Sequence, residues 1–135
     1  MNVNVFTKDA GRVLSPKEAK SLKDTYKERK LAAHLKEDEY IRSEFFGADQ
    51  VARLLSQPNC VGLRIHHAKR WEDKDGKPTE VGKGQLIPRV LLTGVDANGD
   101  DMPIYADLAG LKDMPENGGG EAVGDGWTCP QHCRN

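Results

Sequence analysis

The sequence predicts an α+β domain that is followed by a Gly-rich tail, and three observations support this class. Residues 15–57 space their apolar side chains as a helix does, whereas residues 60–105 alternate apolar and polar side chains between turn sequences. From residue 113 onward the chain is rich in Gly and acidic residues and shows no periodicity. We therefore expect two N-terminal helices packed on a small antiparallel sheet in one domain over residues 1–112, and a flexible tail over residues 113–135.

The first helix has a clear start signal at Ser15-Pro16-Lys17-Glu18. The Ser15 hydroxyl can cap the free backbone N–H groups, Pro16 suits the first helical position, and Glu18 completes a capping box. Leu31 and Leu35 fall on a different side from the main apolar arc, which predicts either a helix covered on two faces or a break near residues 36–39. The residues of that arc are Ala19, Leu22, Tyr26, Ala33 and Tyr40.

A second helix is expected over residues 48–57, because Pro58 disfavours the helical conformation in the residue before it. Two strands and a tight turn follow. The alternation in residues 60–68 and the apolar run in residues 86–95 flank the turn sequence of residues 73–78, which predicts an antiparallel hairpin. Pro88 cannot donate to a strand ladder, so we expect it at a strand start, an edge or a bulge.

A third strand is predicted over residues 102–105, after a turn at Asp96–Asp101 in which Asn98-Gly99 can take positive φ angles. The acidic spacing of this turn resembles half of a calcium loop, but Gly99 is at the wrong position for one, and we interpret it as a hairpin turn. Both Leu91 and Leu92 are apolar, so the sequence does not decide which face of the second strand points inward. The predicted core consists of Phe45, Leu54, Leu55, Leu63, Ile65, Val90 and Leu92.

Composition and charge exclude several classes of protein. Charged residues make up 30% of the chain, and the formal net charge is −1. No apolar run approaches the roughly 20 residues that cross a bilayer, and the first residues lack the basic-then-apolar pattern of a secretory signal. These features predict a cytoplasmic protein without membrane insertion, although export by another route would leave no signal of this kind.

Charge is unevenly distributed along the chain. Basic residues outnumber acidic ones in residues 61–95, whereas residues 96–125 contain many acidic residues and one basic residue, Lys112. The two stretches either compensate each other within one domain or present two different partner surfaces. The sequence pI of about 6.4 lies below the basic values of nucleic-acid-binding domains, so another protein is the expected partner.

No motif in the sequence carries catalysis. The G-x-S-x-G, phosphate-loop and H-E-x-x-H patterns are absent, and no carboxylate has an apolar sequence context that would suit acid–base chemistry. We therefore name no catalytic residue. The candidate binding residues are Arg64 and His66, which share one face of the first predicted strand opposite His67, and Trp127, which begins the unusual C-terminal element.

That C-terminal element contains Cys129, His132 and Cys133. Two thiolates and one imidazole are suitable zinc ligands, but a fourth ligand must come from elsewhere, and His66 is the first candidate. Alternatively, the two cysteines are free thiols, or they pair with each other and leave out Cys60, whose apolar strand context predicts a buried thiol. Zinc is therefore a possible cofactor, and no other cofactor is indicated.

Three segments together resemble a family. They are Val61-Gly62-Leu63-Arg64-Ile65-His66, the stretch from Val90 to Asp101, and Cys129-Pro130-Gln131-His132-Cys133. This order resembles a group of short, uncharacterised bacterial proteins of the Bacteroidetes type, in which a G-x-R-I strand precedes an L-V-G-V-D-x-x-G-x-D strand and turn and a C-P-x-x-C ending. The chain departs from that pattern at Pro88-Arg89, at Thr93 and in its Gly-rich insert. The resemblance implies no activity.

These observations favour a non-enzymatic bacterial protein that binds another macromolecule as a subunit or accessory factor. A metal-binding or thiol protein that uses the C-terminal cysteines is one alternative. The other is a precursor or cargo protein, in which the Gly118–Gly120 spacer precedes a Cys-containing tail that is cleaved or recognised separately.

Overall fold

The computed structural model describes residues 6–35, 40–105 and 119–129. Within these ranges the chain has two helices and three small antiparallel sheets, which confirms the α+β class. In chain order the elements are α1 (Pro16–Ala32), β1 (Ser43–Phe45), α2 (Ala48–Leu55), β2 (Cys60–Glu72), β3 (Gln85–Asp96), β4 (Asp101–Met102), β5 (Ile104–Tyr105), β6 (Gly119–Gly120) and β7 (Trp127–Cys129). The expected boundary between domain and tail, at residue 112, lies outside the described residues.

Two compact units divide the chain, and each is described by itself. The larger unit comprises Met1–Ala10 and Phe46–Gly126, and it contains α2 and strands β2 to β6. The smaller unit comprises Gly11–Phe45 and Trp127–Asn135, and it contains α1, β1 and β7.

Helix α1 of the smaller unit starts as its sequence predicts. The Glu18 N–H donates to Ser15 Oγ at 3.1 Å, and the Glu18 carboxylate accepts from the Ser15 N–H at 3.5 Å. The helix ends because His34 adopts a positive φ of 64°. The Leu35 N–H then donates to the Lys30 carbonyl at 3.2 Å, and the His34 N–H donates to the Leu31 carbonyl at 2.9 Å. This is a Schellman ending with His in the position that Gly usually takes, so the sequence lacks the usual stop signal.

The apolar arc predicted for α1 is covered only in part. The Tyr26 and Tyr40 rings meet edge to face at a centroid distance of 6.0 Å, and the Tyr26 hydroxyl donates to the Ile41 carbonyl at 2.9 Å. Tyr40 is buried, but Leu22 is 62% exposed. In the same unit, β1 pairs antiparallel with β7, so that Ser43 lies opposite Cys129 and Phe45 lies opposite Trp127.

The larger unit contains the predicted hairpin. Strands β2 and β3 pair antiparallel from Cys60 opposite Asp96 to Glu72 opposite Gln85. The turn after β2 is tied by Asp73, whose Oδ1 accepts the N–H groups of Asp75 and Lys77 at 2.9 and 3.0 Å. Pro88 lies opposite Lys69, and among the described residues no strand lies on the other side of β3 at that position. This agrees with the edge position expected for Pro88.

The turn between β3 and β4 forms at the predicted residues, but of Asn98 and Gly99 only Gly99 has a positive φ. Asp96 Oδ1 accepts the N–H groups of Asn98 and Asp100 at 2.9 and 3.1 Å, and Gly99 has a positive φ of 87°. The predicted third strand is divided at Pro103 into β4, which pairs with β3, and β5, which pairs with β6. The sheet order β2-β3-β4 leaves β2 at an edge.

The core of the larger unit is centred on Leu54, which is completely buried. Helix α2 lies so close to β3 that a Cβ on Gly94 would be 3.2 Å from the Leu54 carbonyl oxygen. Leu54 and Leu92 are both buried, as predicted. The burial of Leu92 shows that its face of β3 points toward this core. The buried cluster is Leu54, Leu92, Ile104 and Val123, with Phe46 and Val51 packed against it.

Four predicted core residues are exposed. Leu63 is 37% exposed and Ile65 is 59% exposed, because β2 is an edge strand and the buried cluster contains no residue of β2. Leu55 is 46% exposed, one position round the helix from Leu54. Phe45 is 59% exposed on β1 of the smaller unit. Val90 is half-buried.

Part of the stretch assigned to the tail extends the sheet. Val123 and Leu92 exchange two backbone hydrogen bonds, each of 2.9 Å, on the side of β3 away from β2. Val123 thereby reaches the core, where it is 8% exposed. Its isolated apolar side chain gave no periodic signal in the sequence.

Candidate functional site

The polar face of β2 has the two candidate residues that the sequence placed together. Arg64 lies opposite Thr93 of β3, so their side chains share a face, and His66 follows on the same face two residues later. Asp101 of β4 completes the group. We call Arg64, His66, Thr93 and Asp101 the Arg64 cluster.

Every member of the Arg64 cluster contacts another member. Asp101 Oδ1 accepts from Arg64 Nη1 at 2.6 Å and from the Thr93 hydroxyl at 3.1 Å. His66 Nε2 lies 3.1 Å from Asp101 Oδ2 and 3.1 Å from Thr93 Oγ1. Burial acts to raise the pKa of Asp101, but hydrogen bonds from Thr93 and Arg64 and the nearby charges outweigh it, so the pKa lies below its usual value. The cluster fastens β4 to β2 across β3.

Phe6 lies against this end of the sheet. Arg64 stacks on the Phe6 ring at 5.8 Å from its centroid, and its Nη2 donates to the Gly99 carbonyl at 2.9 Å. An open groove of about 350 Å³ lies along β2 beside this contact. Its lining includes Phe6, Thr7, Ala10, Leu63, Arg64 and Ile65.

A second polar group on the same sheet face was missed by the sequence reasoning. Arg70 Nε donates to Glu72 Oε2 at 3.0 Å and also pairs with Asp125. Arg89 Nη2 donates to the Gly126 carbonyl at 2.9 Å. Burial acts to lower the pKa of Arg70, but its bonds to Asp125 and Glu72 raise it overall. Because Asp125 is 55 positions from Arg70, no local pattern could indicate this pairing.

Of the two C-terminal cysteines, Cys129 lies within the described residues. Cys129 is disulfide-bonded, whereas Cys60 is a free, half-buried thiol. Arg42 Nη2 donates to Cys129 Sγ at 2.9 Å. Of the alternatives left open for Cys129, the structure contains the disulfide, in which the sulfur offers no thiolate to a metal.

The other proposed zinc ligands are His132, Cys133 and His66. His132 and Cys133 lie outside the described residues, and His66 belongs to the larger unit. Within residues 6–35, 40–105 and 119–129, no group of three or more His, Cys, Asp or Glu side chains is arranged to hold a metal ion.

Trp127, the third candidate binding residue, lies in the smaller unit. Its ring meets that of Phe45 at a centroid distance of 5.9 Å, and both rings are exposed, Trp127 by 61%. The structure thus joins Arg64 with His66 and places Trp127 with a different partner.

Comparison with protein-family models, with curated proteins and with solved structures gives no match to this chain. The similarity to Bacteroidetes-type proteins therefore stays a prediction. In the part of the chain that the structure describes, neither helix is long and apolar enough to cross a membrane.

Proposed function

We propose that this protein acts by binding another protein, as a subunit or accessory factor of a larger assembly, and not by catalysing a reaction. The observation that carries this proposal is the exposed apolar pair on β2. Ile65 is 59% exposed and Leu63 is 37% exposed on the strand face opposite the Arg64 cluster. Exposed apolar side chains that adjoin one another and an open groove are found at protein–protein interaction sites.

The surroundings of this apolar pair suit binding. Asp101 is engaged by Arg64, Thr93 and His66, and these contacts tie β4 to the rest of the sheet. The groove beside them is open and partly apolar, which suits a polypeptide surface.

A photo-crosslinking amino acid tests the proposal. It is placed at Ile65 in the full chain, expressed in the cells from which the protein comes, and compared with the same group at Val81. Val81 is a matched control because it is 86% exposed in the same unit but lies outside the strands. We expect a discrete covalent adduct with another protein at Ile65 and none at Val81. Identical adducts at both positions, or none at Ile65, would contradict the proposal.

A further inference from the structure

The outer edge of β2 has a defined pattern of main-chain groups. Leu92 gives both its N–H and its C=O to Val123, so neither group points toward β2. Ile65 is the cross-strand partner of Leu92. In an antiparallel ladder such a pair is a non-hydrogen-bonded one, so the N–H and C=O of Ile65 point away from β3.

Two further observations agree with this assignment along the strand. Lys69 lies opposite Pro88, which has no N–H, as a non-hydrogen-bonded position allows. Trp71, six residues after Ile65, accepts the Thr79 N–H at 2.9 Å on its outer side. The outward groups are therefore those of alternate residues, namely Leu63, Ile65, His67 and Lys69.

The chain itself already pairs with this edge at one end. The Thr79–Trp71 bond and the bridge between Pro78 and Glu72 place a returning segment beside the last residues of β2. Among the described residues, no backbone group pairs with the outer edge over residues 63–69. A strand edge that the described residues leave unpaired over this length is a template for another extended chain.

We propose that residues 63–69 of β2 receive an extended, acidic segment of the partner protein as an added antiparallel strand. This rests on the proposed function and specifies how the partner binds. Leu63 and Ile65 would contact apolar side chains of the added strand, while His67 and Lys69 would face its carboxylates on the same side.

Charge along β2 favours this partner over a second copy of the chain. Residues 60–71 contain no acidic residue. Arg64 and Arg70 lie on the opposite face of β2 and already pair with carboxylates there. His67 and Lys69, by contrast, lie on the exposed face with Leu63 and Ile65. A second β2 edge would bring no carboxylate to that face, whereas an acidic strand would place carboxylates opposite Lys69 and His67.

A designed peptide provides the test. The parent probe is acetyl-Thr-Glu-Thr-Glu-Thr-Val-Thr-Val-Thr amide, whose two Glu align with Lys69 and His67 and whose two Val align with Ile65 and Leu63 in antiparallel register. In one variant a Glu and a Val are N-methylated, which blocks amides that face β2. In the matched control two Thr are N-methylated, which blocks the same number of amides that face away. A fourth peptide replaces Glu by Lys.

Binding to the full chain is measured by fluorescence anisotropy, and residue-resolved hydrogen exchange identifies the edge. We expect the control to bind within about threefold of the parent, and the Glu/Val-methylated peptide to lose at least tenfold, as removing two hydrogen bonds implies. The Lys peptide should also bind more weakly than the parent. On binding, the amides of Leu63, Ile65, His67 and Lys69 should gain protection, while those of the intervening residues do not change.

Variants of the protein give an independent arm. His67→Pro removes one outward N–H and His67→Ala retains it, so the proline variant should bind the parent peptide at least fivefold more weakly than the alanine variant. Both variants lack the imidazole, which isolates the main-chain effect.

Three outcomes would overturn the proposal: no saturable binding of the parent peptide, equal binding of the two methylated peptides, or protection of the alternate amides in the free protein. The last would mean that the edge is already occupied. A specific adduct at Ile65 together with a negative peptide result retains the proposed function and rejects only this binding mode. Peptide binding without any adduct at Ile65 would reject the proposed function and would show only that the edge can accept an added strand.

Discussion

Truncation of Leu54 tests the core assignment, and the chain offers an internal control in the neighbouring Leu55. Both residues lie in α2, and both are changed from Leu to Ala, so the small gain in helix propensity is common to the two variants. They differ in burial, since Leu54 is completely buried and Leu55 is 46% exposed.

The expected magnitudes follow from that difference. Leu→Ala removes three carbon atoms, worth about 2.4 kcal/mol of transfer free energy at about 0.8 kcal/mol each when they are fully buried. The space left among Leu92, Ile104 and Val123 adds a cavity term, so the free energy of unfolding should fall by about 3 to 4 kcal/mol for Leu54→Ala. Leu55→Ala should cost about 1 kcal/mol, because roughly half of its side chain already contacts water.

Urea unfolding monitored by tryptophan fluorescence measures both values in the relevant unit. The chain has two tryptophans, Trp71 in the larger unit and Trp127 in the smaller one. In a Trp127→Phe background, Trp71 reports on the larger unit alone. If the two leucine variants lose the same free energy, or if Leu54→Ala loses less than about 1 kcal/mol, the cluster around Leu54 is not the core.

Two further predictions concern the charged contacts. Because the folded state lowers the pKa of Asp101, its carboxylate stabilises the fold above the unfolded pKa of about 3.9 and ceases to do so as pH falls through the lower folded value. Below about pH 4, the free energy of unfolding of Asp101→Asn should therefore depend less on pH than that of the parent. Asp100→Asn, which removes the same charge, is the control and should keep the pH dependence of the parent. A steeper pH dependence in Asp101→Asn would reject the assigned role of Asp101. A Cys60→Ser, Cys133→Ser chain retains Cys129 as its one thiol. The Arg42 guanidinium, which donates to Cys129 Sγ, should favour the thiolate form of that thiol. Iodoacetamide should therefore alkylate Cys129 about tenfold faster at neutral pH than it does in the same chain with Arg42→Met. Equal rates would show that the Arg42–Cys129 contact has no chemical effect.

Features that depend on neighbours a few residues apart could be predicted from the sequence. The Ser15 cap is formed with Glu18, and the Asp73 and Asp96 turns are closed by the residues that follow them. Alternation also placed Arg64 and His66 on one face of β2, because successive side chains of a strand point to opposite faces whatever packs against them.

Which face of that strand is covered depends on the order of the strands in the sheet, and the sequence does not show it. The apolar content of Leu63 and Ile65 indicates burial, but the sheet order places β2 at an edge and the core forms over β3. The residues that complete the core and the polar clusters are distant in sequence: Val123 pairs with Leu92, Asp101 with Arg64, and Arg42 with Cys129. Local propensity contains no information on such contacts, because each pair forms only after the chain segments between its members have folded back.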